Sequence, residues 1–170
     1  MNKTLITTLI AFCFATISIA QDYNTGIGFR AGPFTGLTVK HFVSEKAAFE
    51  FLLASRWRGF EITGLYEIHN RAFDTERLKW YYGFGAHAGF YDGDYTHNRW
   101  GERGTQYTVV GLDGILGLEY SFEEIPFNIS LDWKPTFNFY GYSGFWGDGI
   151  ALSIRYIFFP RLFRSRKSVV

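Results

Sequence analysis

The feature that most constrains the fold is an alternation of apolar and polar side chains with a period of two. It is clearest in the stretch PFNISLDWKPTFNFYG, which covers residues 126–141. Its apolar set is Phe127, Ile129, Leu131, Trp133, Pro135, Phe137 and Phe139, and its polar set is Asn128, Ser130, Asp132, Lys134, Thr136 and Asn138. Successive side chains of a strand point to opposite faces, so the pattern predicts a β-strand with one apolar face.

The same alternation recurs in eight segments, and no helical periodicity separates them. The predicted strands are 23–31, 36–43, 47–57, 60–69, 78–91, 107–122, 127–139 and 149–158. Sequential strands without intervening helices are expected to pair antiparallel. The predicted fold class is therefore all-β, an eight-stranded antiparallel up-and-down arrangement.

The first 20 residues have the pattern of an export signal. A basic start, MNK, precedes the apolar run TLITTLIAFCFATISIA, and Ser18 and Ala20 suit cleavage before Gln21. The run is too short, and too often interrupted by threonine, for a membrane anchor. We expect a signal peptide over 1–20, one barrel domain over 21–159 and a basic periplasmic tail over 160–170.

Composition excludes several classes of protein. The chain has 17 Lys and Arg residues against 16 Asp and Glu residues, so its charge gives no reason to expect nucleic acid as a partner. Its one cysteine, Cys13, lies in the predicted signal, so no disulfide is expected in the exported protein. Residues after position 20 contain no run of 18 apolar residues, so transmembrane helices are not expected.

All charged residues of the predicted strands lie on the face opposite the large apolar side chains. These residues are Arg30, Lys40, Arg56, Lys79, Lys134 and Arg155, with Glu50, Glu61, Glu67, Asp113, Glu119 and Asp132. A soluble sandwich or lipocalin-like barrel would bury the apolar face. However, an eight-stranded barrel has little internal volume, and the polar face carries many glycines, among them Gly83, Gly85, Gly111 and Gly117. We therefore expect the charged network inside and the aromatic face toward lipid.

Turn positions predict how these charges pair. A turn at Arg58 and Gly59 sets Arg56 opposite Glu61 and Glu50 opposite Glu67. A turn over residues 44–46 sets Lys40 opposite Glu50, which extends the set to a row of Lys40, Glu50, Glu67 and Lys79. Asp113 is expected diagonal to Lys134. Because proline cannot donate to a sheet, Pro135 predicts a bulge or a strand end.

Three stretches carry a resemblance to a known family: LKWYYGFGAHAGFYDG, GLDGILGLEYSFEEIPFNISLDWKP and FWGDGIALSIRYIFF. The chain resembles the small eight-stranded outer-membrane β-barrels, in particular the porin-like barrels common in Bacteroidetes, and is similar to the transmembrane barrel of outer-membrane protein A. The resemblance implies the outer membrane of a Gram-negative bacterium, contact with its lipid and lipopolysaccharide, and the barrel assembly machinery as a partner. The last stretch also resembles a C-terminal assembly signal, although eleven residues follow Phe159.

Two non-catalytic functions remain open. In the first, the barrel is a plugged membrane anchor whose two long connections, 92–106 and 141–149, meet an extracellular partner or lipopolysaccharide. The candidate contact residues are Tyr95, Trp100, Tyr142, Phe145 and Trp146. In the second, the barrel is a narrow passive channel gated by its interior charge pairs. We favour the anchor, because eight strands leave no aqueous lumen once side chains are placed.

An enzyme that modifies lipid A is the least favoured class. His97 is the one histidine predicted in an outer loop, with Asp92, Asp94 and Ser143 as conceivable partners. His41 is expected on the lipid face, His69 at a turn and His87 as a hydrogen-bonded interior residue. We expect no catalytic activity, no cofactor and no metal site.

Overall fold

The structure is a computed structural model that describes residues 24–56, 59–73, 75–92, 106–141 and 144–158, and their strands form one antiparallel sheet. The strands are β1 (Thr25–Ala31), β2 (Thr35–Phe42), β3 (Ala47–Arg56), β4 (Gly59–Ala72), β5 (Thr75–Asp92), β6 (Gln106–Ser121), β7 (Phe127–Trp133), β8 (Thr136–Tyr140), β9 (Gly144–Trp146) and β10 (Ile150–Phe158). Within these residues no helix is long and apolar enough to cross a membrane.

The sheet closes on itself into a barrel. Strands β1 to β6 pair in sequence order, and β6 pairs with both β7 and β8, which together form one barrel strand. The barrel closes where β10 pairs with β1, from Thr25 opposite Phe158 to Ala31 opposite Leu152. The predicted all-β, eight-stranded, up-and-down fold is therefore confirmed. We call the end that holds the turns after β2, β4 and β6 the tight-turn end, and the opposite end the long-loop end.

Pro135 divides the seventh barrel strand without changing its register. Leu116 lies opposite Trp133 and Asp113 opposite Thr136, so the same register continues on both sides of the proline. The Pro135 carbonyl still accepts a hydrogen bond from Gly114 N at 2.9 Å. The bulge lies further along β6, between Val110 and Gly111. The break at Pro135 follows from its missing N–H group.

Strands β4 and β5 are longer than the alternation predicts. The nine residues 69–77 were expected to form a connection, but β4 continues to Ala72 and β5 begins at Thr75. Phe73 adopts a left-handed backbone (φ 51°) in the turn, which lets a very short connection reverse the chain. The sequence-based expectation for this segment is wrong because Asn70 and Arg71 interrupt the apolar pattern without ending the strand.

One predicted long connection contains a further strand. Within 141–149, β9 pairs with β8, with Thr136 opposite Trp146 and Phe137 opposite Phe145. This pairing extends the barrel wall at the long-loop end. The segment 93–105 lies outside the described residues, and β5 and β6 pair up to Asp92 opposite Gln106 at its two ends.

The buried face of the barrel is the polar one. Among the described residues, four cationic and six carboxylate side chains are buried: Arg30, Lys40, Lys134 and Arg155, with Glu50, Glu61, Glu67, Asp113, Glu119 and Asp132. Large apolar side chains are exposed on the other face of every barrel strand, for example Phe29 at 67%, Phe84 at 70% and Leu152 at 56% exposure. The molecule is thus polar inside and apolar outside, the reverse of a water-soluble barrel.

Candidate functional site: the charged interior

The charged residues nearest the tight-turn end converge on one ammonium group. Lys40 Nζ lies 2.8 Å from Glu67 Oε2, 3.2 Å from Glu119 Oε2 and 3.4 Å from Glu50 Oε2. The same Nζ lies 4.0 Å above the centre of the Tyr81 ring. We call Lys40, Glu50, Glu67, Glu119 and Arg155 the Lys40 cluster. Its members come from β2, β3, β4, β6 and β10, so it ties together five strands across the interior.

Arg155 completes the Lys40 cluster from the strand that closes the barrel. Its guanidinium binds Glu50 and approaches Glu119 to 3.9 Å. It also donates to Thr38 Oγ1 at 3.0 Å and to Ser130 Oγ at 2.8 Å. A buried guanidinium needs this many acceptors, because removing a charge from water costs several kcal/mol unless partners replace the water.

A second group of charges lies nearer the long-loop end. Lys134 Nζ lies 3.0 Å from Glu61 Oε1 and 2.9 Å from Asp113 Oδ1, so the predicted contact between Asp113 and Lys134 is present. His87 contacts Asp113 Oδ2 through Nδ1 and Asn138 Oδ1 through Nε2, both at 2.9 Å. We call Lys134, Glu61, Asp113, His87 and Asn138 the Lys134 cluster.

The Lys134 cluster also contains three groups that could hold a metal ion. Ligand atoms of Glu61, His87 and Asp113 lie within 4.8 Å of one another. Each of these atoms already has a partner, since Lys134 and His87 bind the carboxylates and Tyr91 donates to Glu61 Oε2 at 2.9 Å. The Lys134 ammonium takes the role that a cation would have there.

An apolar layer lies between the two charged clusters on the side of the interior formed by β3 to β6. Leu52, Leu65, Ile115 and the Tyr81 ring pack together in the interior. On β3, β4 and β6 these residues lie two or four positions from the carboxylates of the Lys40 cluster, and Ile115 lies two positions from Asp113. Phe42, Ala48 and Ile157 form a similar layer at the tight-turn end. On this side of the barrel, charged and apolar side chains therefore alternate along the axis.

One ion pair spans the apolar layer. Arg30 donates two hydrogen bonds to Asp132, at 2.5 and 2.7 Å, and Tyr81 Oη donates a third to the same carboxylate at 3.2 Å. This two-bond geometry is the strongest form of an arginine–carboxylate pair. It joins β1 to β7 across β10, on either side of the strand that closes the barrel.

An aromatic group closes the long-loop end. Phe34, from the turn between β1 and β2, is buried and stacks on Trp146 with ring centres 6.2 Å apart. The Arg56 guanidinium lies 4.7 Å from the Phe34 ring centre and 5.5 Å from that of Trp146. Asp148 binds Arg56 through two hydrogen bonds of 2.6 and 3.2 Å. We call these four residues the aromatic lid.

The structure brings together most of the predicted interior residues, but with different partners. Lys40 does lie opposite Glu50, as predicted. Glu61 faces Ala54 instead of Arg56, and Glu50 faces Leu65 instead of Glu67, so both of these predicted pairs are wrong. The physical reason is the turn: Arg56 already pairs with Gly59, so the hairpin reverses one residue earlier than assumed.

Two residues that were predicted inside the barrel lie at the edges of the interior. Lys79 is partly exposed, and its Nζ lies 5.6 Å from the Phe42 ring centre. It lies opposite Glu119 and does not complete the predicted row with Glu67. Arg56 lies at the rim, in the aromatic lid. The regular β4–β5 register accounts for the first difference, because it sets Gly83 opposite Glu67 and Lys79 opposite Arg71, four positions nearer the tight-turn end.

The structure describes only two of the candidate contact residues in the outer loops, and it places them differently. Phe145 is 64% exposed and remains a candidate contact residue, whereas Trp146 turns inward and packs edge-on against Tyr91. The remaining loop candidates and their possible catalytic partners lie outside the described residues: Tyr95, Trp100, Tyr142, His97, Asp94 and Ser143. The signal peptide, the tail over 160–170 and Arg58 also lie outside them.

The main residue that sequence reasoning misplaced is His69. It was expected at a turn, but it lies inside β4, buried, with its ring stacked on Tyr81 at a centroid distance of 4.8 Å. The sequence did contain a signal for this position: His69 stands two residues after Glu67, so both side chains are expected on the same face of the strand. Tyr81, Tyr91 and Phe34 were also not predicted as interior residues, although alternation with Trp80 and Tyr82 places Tyr81 and Tyr91 on the polar face. His41 lies on the outer face, 2.8 Å from Thr25 Oγ1.

Comparisons with protein-family models and with curated proteins found no match. The resemblance to the porin-like barrels therefore rests on the sequence stretches alone, and the structure supports its coarser part, an eight-stranded antiparallel barrel.

Proposed function

We propose that this chain is an integral β-barrel of a Gram-negative outer membrane that serves as a plugged anchor for its long loops. The observation that carries the proposal is the polarity of the two faces: buried ion pairs inside and a continuous apolar surface outside. In water that surface would be an aggregation site far larger than the apolar patch of a typical soluble monomer. In lipid it is the ordinary outer face of a barrel.

The outer face has the two further features that a bilayer favours. Leaving out the ends of β4 and β5, the outward positions of the described barrel strands carry no Asp, Glu, Lys or Arg, which avoids about 2–4 kcal/mol for each cation at the midplane. Aromatic residues with a polar group, Trp80, Tyr82, Tyr120 and Tyr156, lie near the tight-turn end. Trp80 and Tyr82 stack at 5.4 Å. Such residues form the interfacial girdles of outer-membrane barrels.

The layered interior favours an anchor over a channel. Lys40, Glu50, Glu67 and Arg155 are completely buried, and hydrocarbon layers lie on both sides of them. Ions cross a pore by exchanging water for polar groups, and an apolar constriction opposes this exchange. We therefore propose that the loops, with Phe145 among their contact residues, perform the function by meeting lipopolysaccharide or an extracellular partner, and that the protein is not an enzyme.

Refolding of the chain without residues 1–20 tests the proposal. We expect it to fold only with detergent or lipid, to run faster on a gel before boiling than after it, and to stay with liposomes after a carbonate wash. A chain that stays folded and monomeric in buffer without detergent would contradict membrane insertion. Binding of lipopolysaccharide or of cell-surface extracts by the folded protein, compared with Phe145→Ala, tests the role of the loops.

A further inference from the structure

The Lys40 cluster contains more acidic side chains than basic ones. Three carboxyl groups share two cations, and all five side chains are buried: Glu50, Glu67 and Glu119, with Lys40 and Arg155. If all three carboxyl groups were ionised, one negative charge would have no counterion. A buried charge without a partner is so costly that the group usually changes its protonation state instead.

Glu67 has the weakest supply of hydrogen-bond donors among the three carboxyl groups. Glu50 Oε1 accepts a hydrogen bond from the Arg155 guanidinium. Glu119 Oε2 accepts one from Lys40 Nζ at 3.2 Å and lies 3.9 Å from Arg155. Within the described part of the chain, Lys40 is the one cation in contact with Glu67, and it is shared with both other carboxyl groups. Glu67 is therefore the carboxyl group whose ionisation is the least compensated.

Glu67 also lies within hydrogen-bonding reach of the Glu50 side chain. An ionised carboxylate only accepts hydrogen bonds, whereas a protonated carboxyl group also donates one. Two ionised groups in this contact would repel each other. Glu50 Oε2 is buried and accepts no hydrogen bond from the described residues, so a proton on Glu67 supplies a donor that Glu50 can use.

His69 does not supply the missing positive charge. Its Nε2 lies 3.6 Å from Glu67 Oε2 and 3.9 Å from Glu119 Oε2, and both distances are too long for a hydrogen bond. Its ring packs against Phe42 and Tyr81, with ring centres 4.7 and 4.8 Å away. A charged imidazole here would be desolvated by aromatic rings, and neither of its N–H groups would meet an acceptor among the described residues.

We propose that Glu67 is a buried proton-binding site, whose carboxyl group holds one proton at neutral pH and donates a hydrogen bond to Glu50. The Lys40 cluster is then neutral, since Lys40 and Arg155 balance ionised Glu50 and Glu119. A glutamate in an unfolded chain is ionised at neutral pH, so the protein takes up one proton when the barrel folds. The site depends on the barrel interior alone and not on the proposed membrane location.

Charged and titratable side chains reach this site from all the strands around it. They are Lys40 on β2, Glu50 on β3, His69 on β4, Lys79 and Tyr81 on β5, Glu119 on β6 and Arg155 on β10, while Arg30 on β1 is paired with Asp132 on β7. Tyr81 Oη donates to Asp132, so it is not a donor for Glu67. Lys79 is partly exposed, so water screens its charge.

The Lys134 cluster has the same excess of one carboxyl group but a different way to balance it. Its acids are Glu61 and Asp113, and its histidine, His87, has both ring nitrogens 2.9 Å from side-chain oxygens, those of Asp113 and Asn138. An imidazolium donates from both nitrogens, so His87 can provide the second positive charge there. No histidine of the Lys40 cluster region has such contacts within the described residues, and there the proton has to be carried by an acid.

Infrared spectroscopy of the folded barrel in D₂O at neutral pH tests the proposal. A buried protonated carboxyl group gives a C=O stretching band separate from the bands of ionised carboxylates. We expect this band in the wild type, its loss in Glu67→Gln, and its retention in Glu123→Gln, an exposed glutamate in the turn after β6. A wild-type spectrum without the band, or a folded Glu67→Gln variant that keeps it, overturns the proposal.

Circular dichroism checks that both variants fold. Glutamine has the size of a protonated glutamate and can donate the same hydrogen bond to Glu50, so Glu67→Gln should fold as the wild type does. A Glu67→Gln variant that does not fold would therefore also contradict the proposal, because it would show that the ionised form of Glu67 is required.

The pH dependence of stability provides a second measurement. A proton that the folded chain binds and the unfolded chain does not makes the unfolding equilibrium constant rise about tenfold for each pH unit. From about pH 6 to about pH 8, the constant of the wild type should thus rise about tenfold per pH unit more steeply than that of Glu67→Gln. Glu123→Gln should follow the wild type. Equal slopes for the wild type and Glu67→Gln would mean that Glu67 holds no proton.

Discussion

Lys40 holds three carboxylates with a single ammonium group, and this makes it the residue on which the interior depends most. All three carboxylates are buried, and Tyr81 covers the remaining side of the ammonium. Loss of one partner from such a group is costly because the remaining charges cannot return to water. A substitution at this residue therefore tests whether the interior charges contribute as a network.

Replacement of Lys40 by methionine should lower the free energy of unfolding by about 3–5 kcal/mol, because it leaves Glu67, Glu119 and Glu50 without their shared cation. Denaturant unfolding of the folded barrel, followed by tryptophan fluorescence, measures the change. Lys79→Met is the matched control: Lys79 is partly exposed, so its charge has water available and the loss should be smaller. Equal losses for the two variants would argue against a network centred on Lys40.

The residues that sequence reasoning placed correctly are those for which side-chain direction was sufficient. The period of two determines the face of every charged residue, and those charges do lie on the inner face or at its rim. Contacts across the barrel are different, because they depend on closure and tilt. No local pattern predicts that Arg30 meets Asp132, 102 residues away.

At the scale of elements, glycines on the inner face make room for aromatic rings. A Cβ atom at Gly117 of β6 would lie 2.5 Å from Tyr81 Cζ, and one at Gly89 of β5 would lie 2.6 Å from Tyr91 Cε2. Each ring therefore passes close to a glycine, and its hydroxyl reaches a carboxylate on a nearby strand, Asp132 on β7 or Glu61 on β4. The small residues are thus part of the charge network, although they carry no charge.

Gly117→Ala should destabilise the barrel by about 1–3 kcal/mol, since overpacking forces the Tyr81 ring away from Asp132. Gly114→Ala, three residues earlier on β6, is the control: its Cβ would meet only Pro135 Cγ, at 3.4 Å, and should change stability by about 0.5 kcal/mol or less. Thermal unfolding of both variants in the same detergent compares them. A Gly114 variant as unstable as the Gly117 variant would mean that added bulk anywhere on β6 is harmful.

The register of a hairpin is where element-scale prediction failed. Moving the turn between β3 and β4 by one residue moves every partner by two, so Glu61 faces Ala54 while its side chain still points inward. Hydrophobic alternation cannot detect such an error, since the faces are the same in both registers. The turn between β2 and β3 was assigned correctly, and there the Lys40–Glu50 pair is present.

At the scale of the whole molecule, the apolar surface should respond to charge according to depth. In liposomes, Ile154→Arg, at the centre of β10, should cost about 2–4 kcal/mol of folding free energy, whereas Phe145→Arg, on β9 at the long-loop end, should cost about 0–1 kcal/mol. Reversible unfolding from vesicles measures both. Equal effects would mean that the surface does not lie across a bilayer.

Conductance distinguishes the anchor from the narrow channel. We expect no discrete current steps from the folded protein in a planar bilayer, because the apolar group of Leu52, Leu65 and Ile115 and the buried Arg30–Asp132 ion pair together fill the interior between the charged clusters. Asp148→Asn loosens the aromatic lid but leaves this layer intact, so it should remain silent as well. Steps in the wild type that change in Asp148→Asn would establish a gated pore.

Closure could be predicted from the sequence, whereas the layered interior could not. Eight alternating strands without helices favour a barrel, and the structure closes β10 onto β1. The apolar layer of Leu52, Leu65, Tyr81 and Ile115 arises from single residues on the otherwise polar face of four consecutive strands, and the curvature of the sheet brings their side chains into contact. Their contribution depends on packing across the interior, which has no signature along the chain.

The placement of the buried charges also has a consequence for assembly. The cations lie toward the margins of the sheet, on β1, β2 and β10 and just after β7, while five of the six buried carboxylates lie on the central strands β3, β4 and β6. Before closure, a nascent sheet would thus have an anionic middle and cationic borders. Attraction between them favours curling over a flat ribbon, so the charges that stabilise the finished barrel also give the open sheet its direction of curvature.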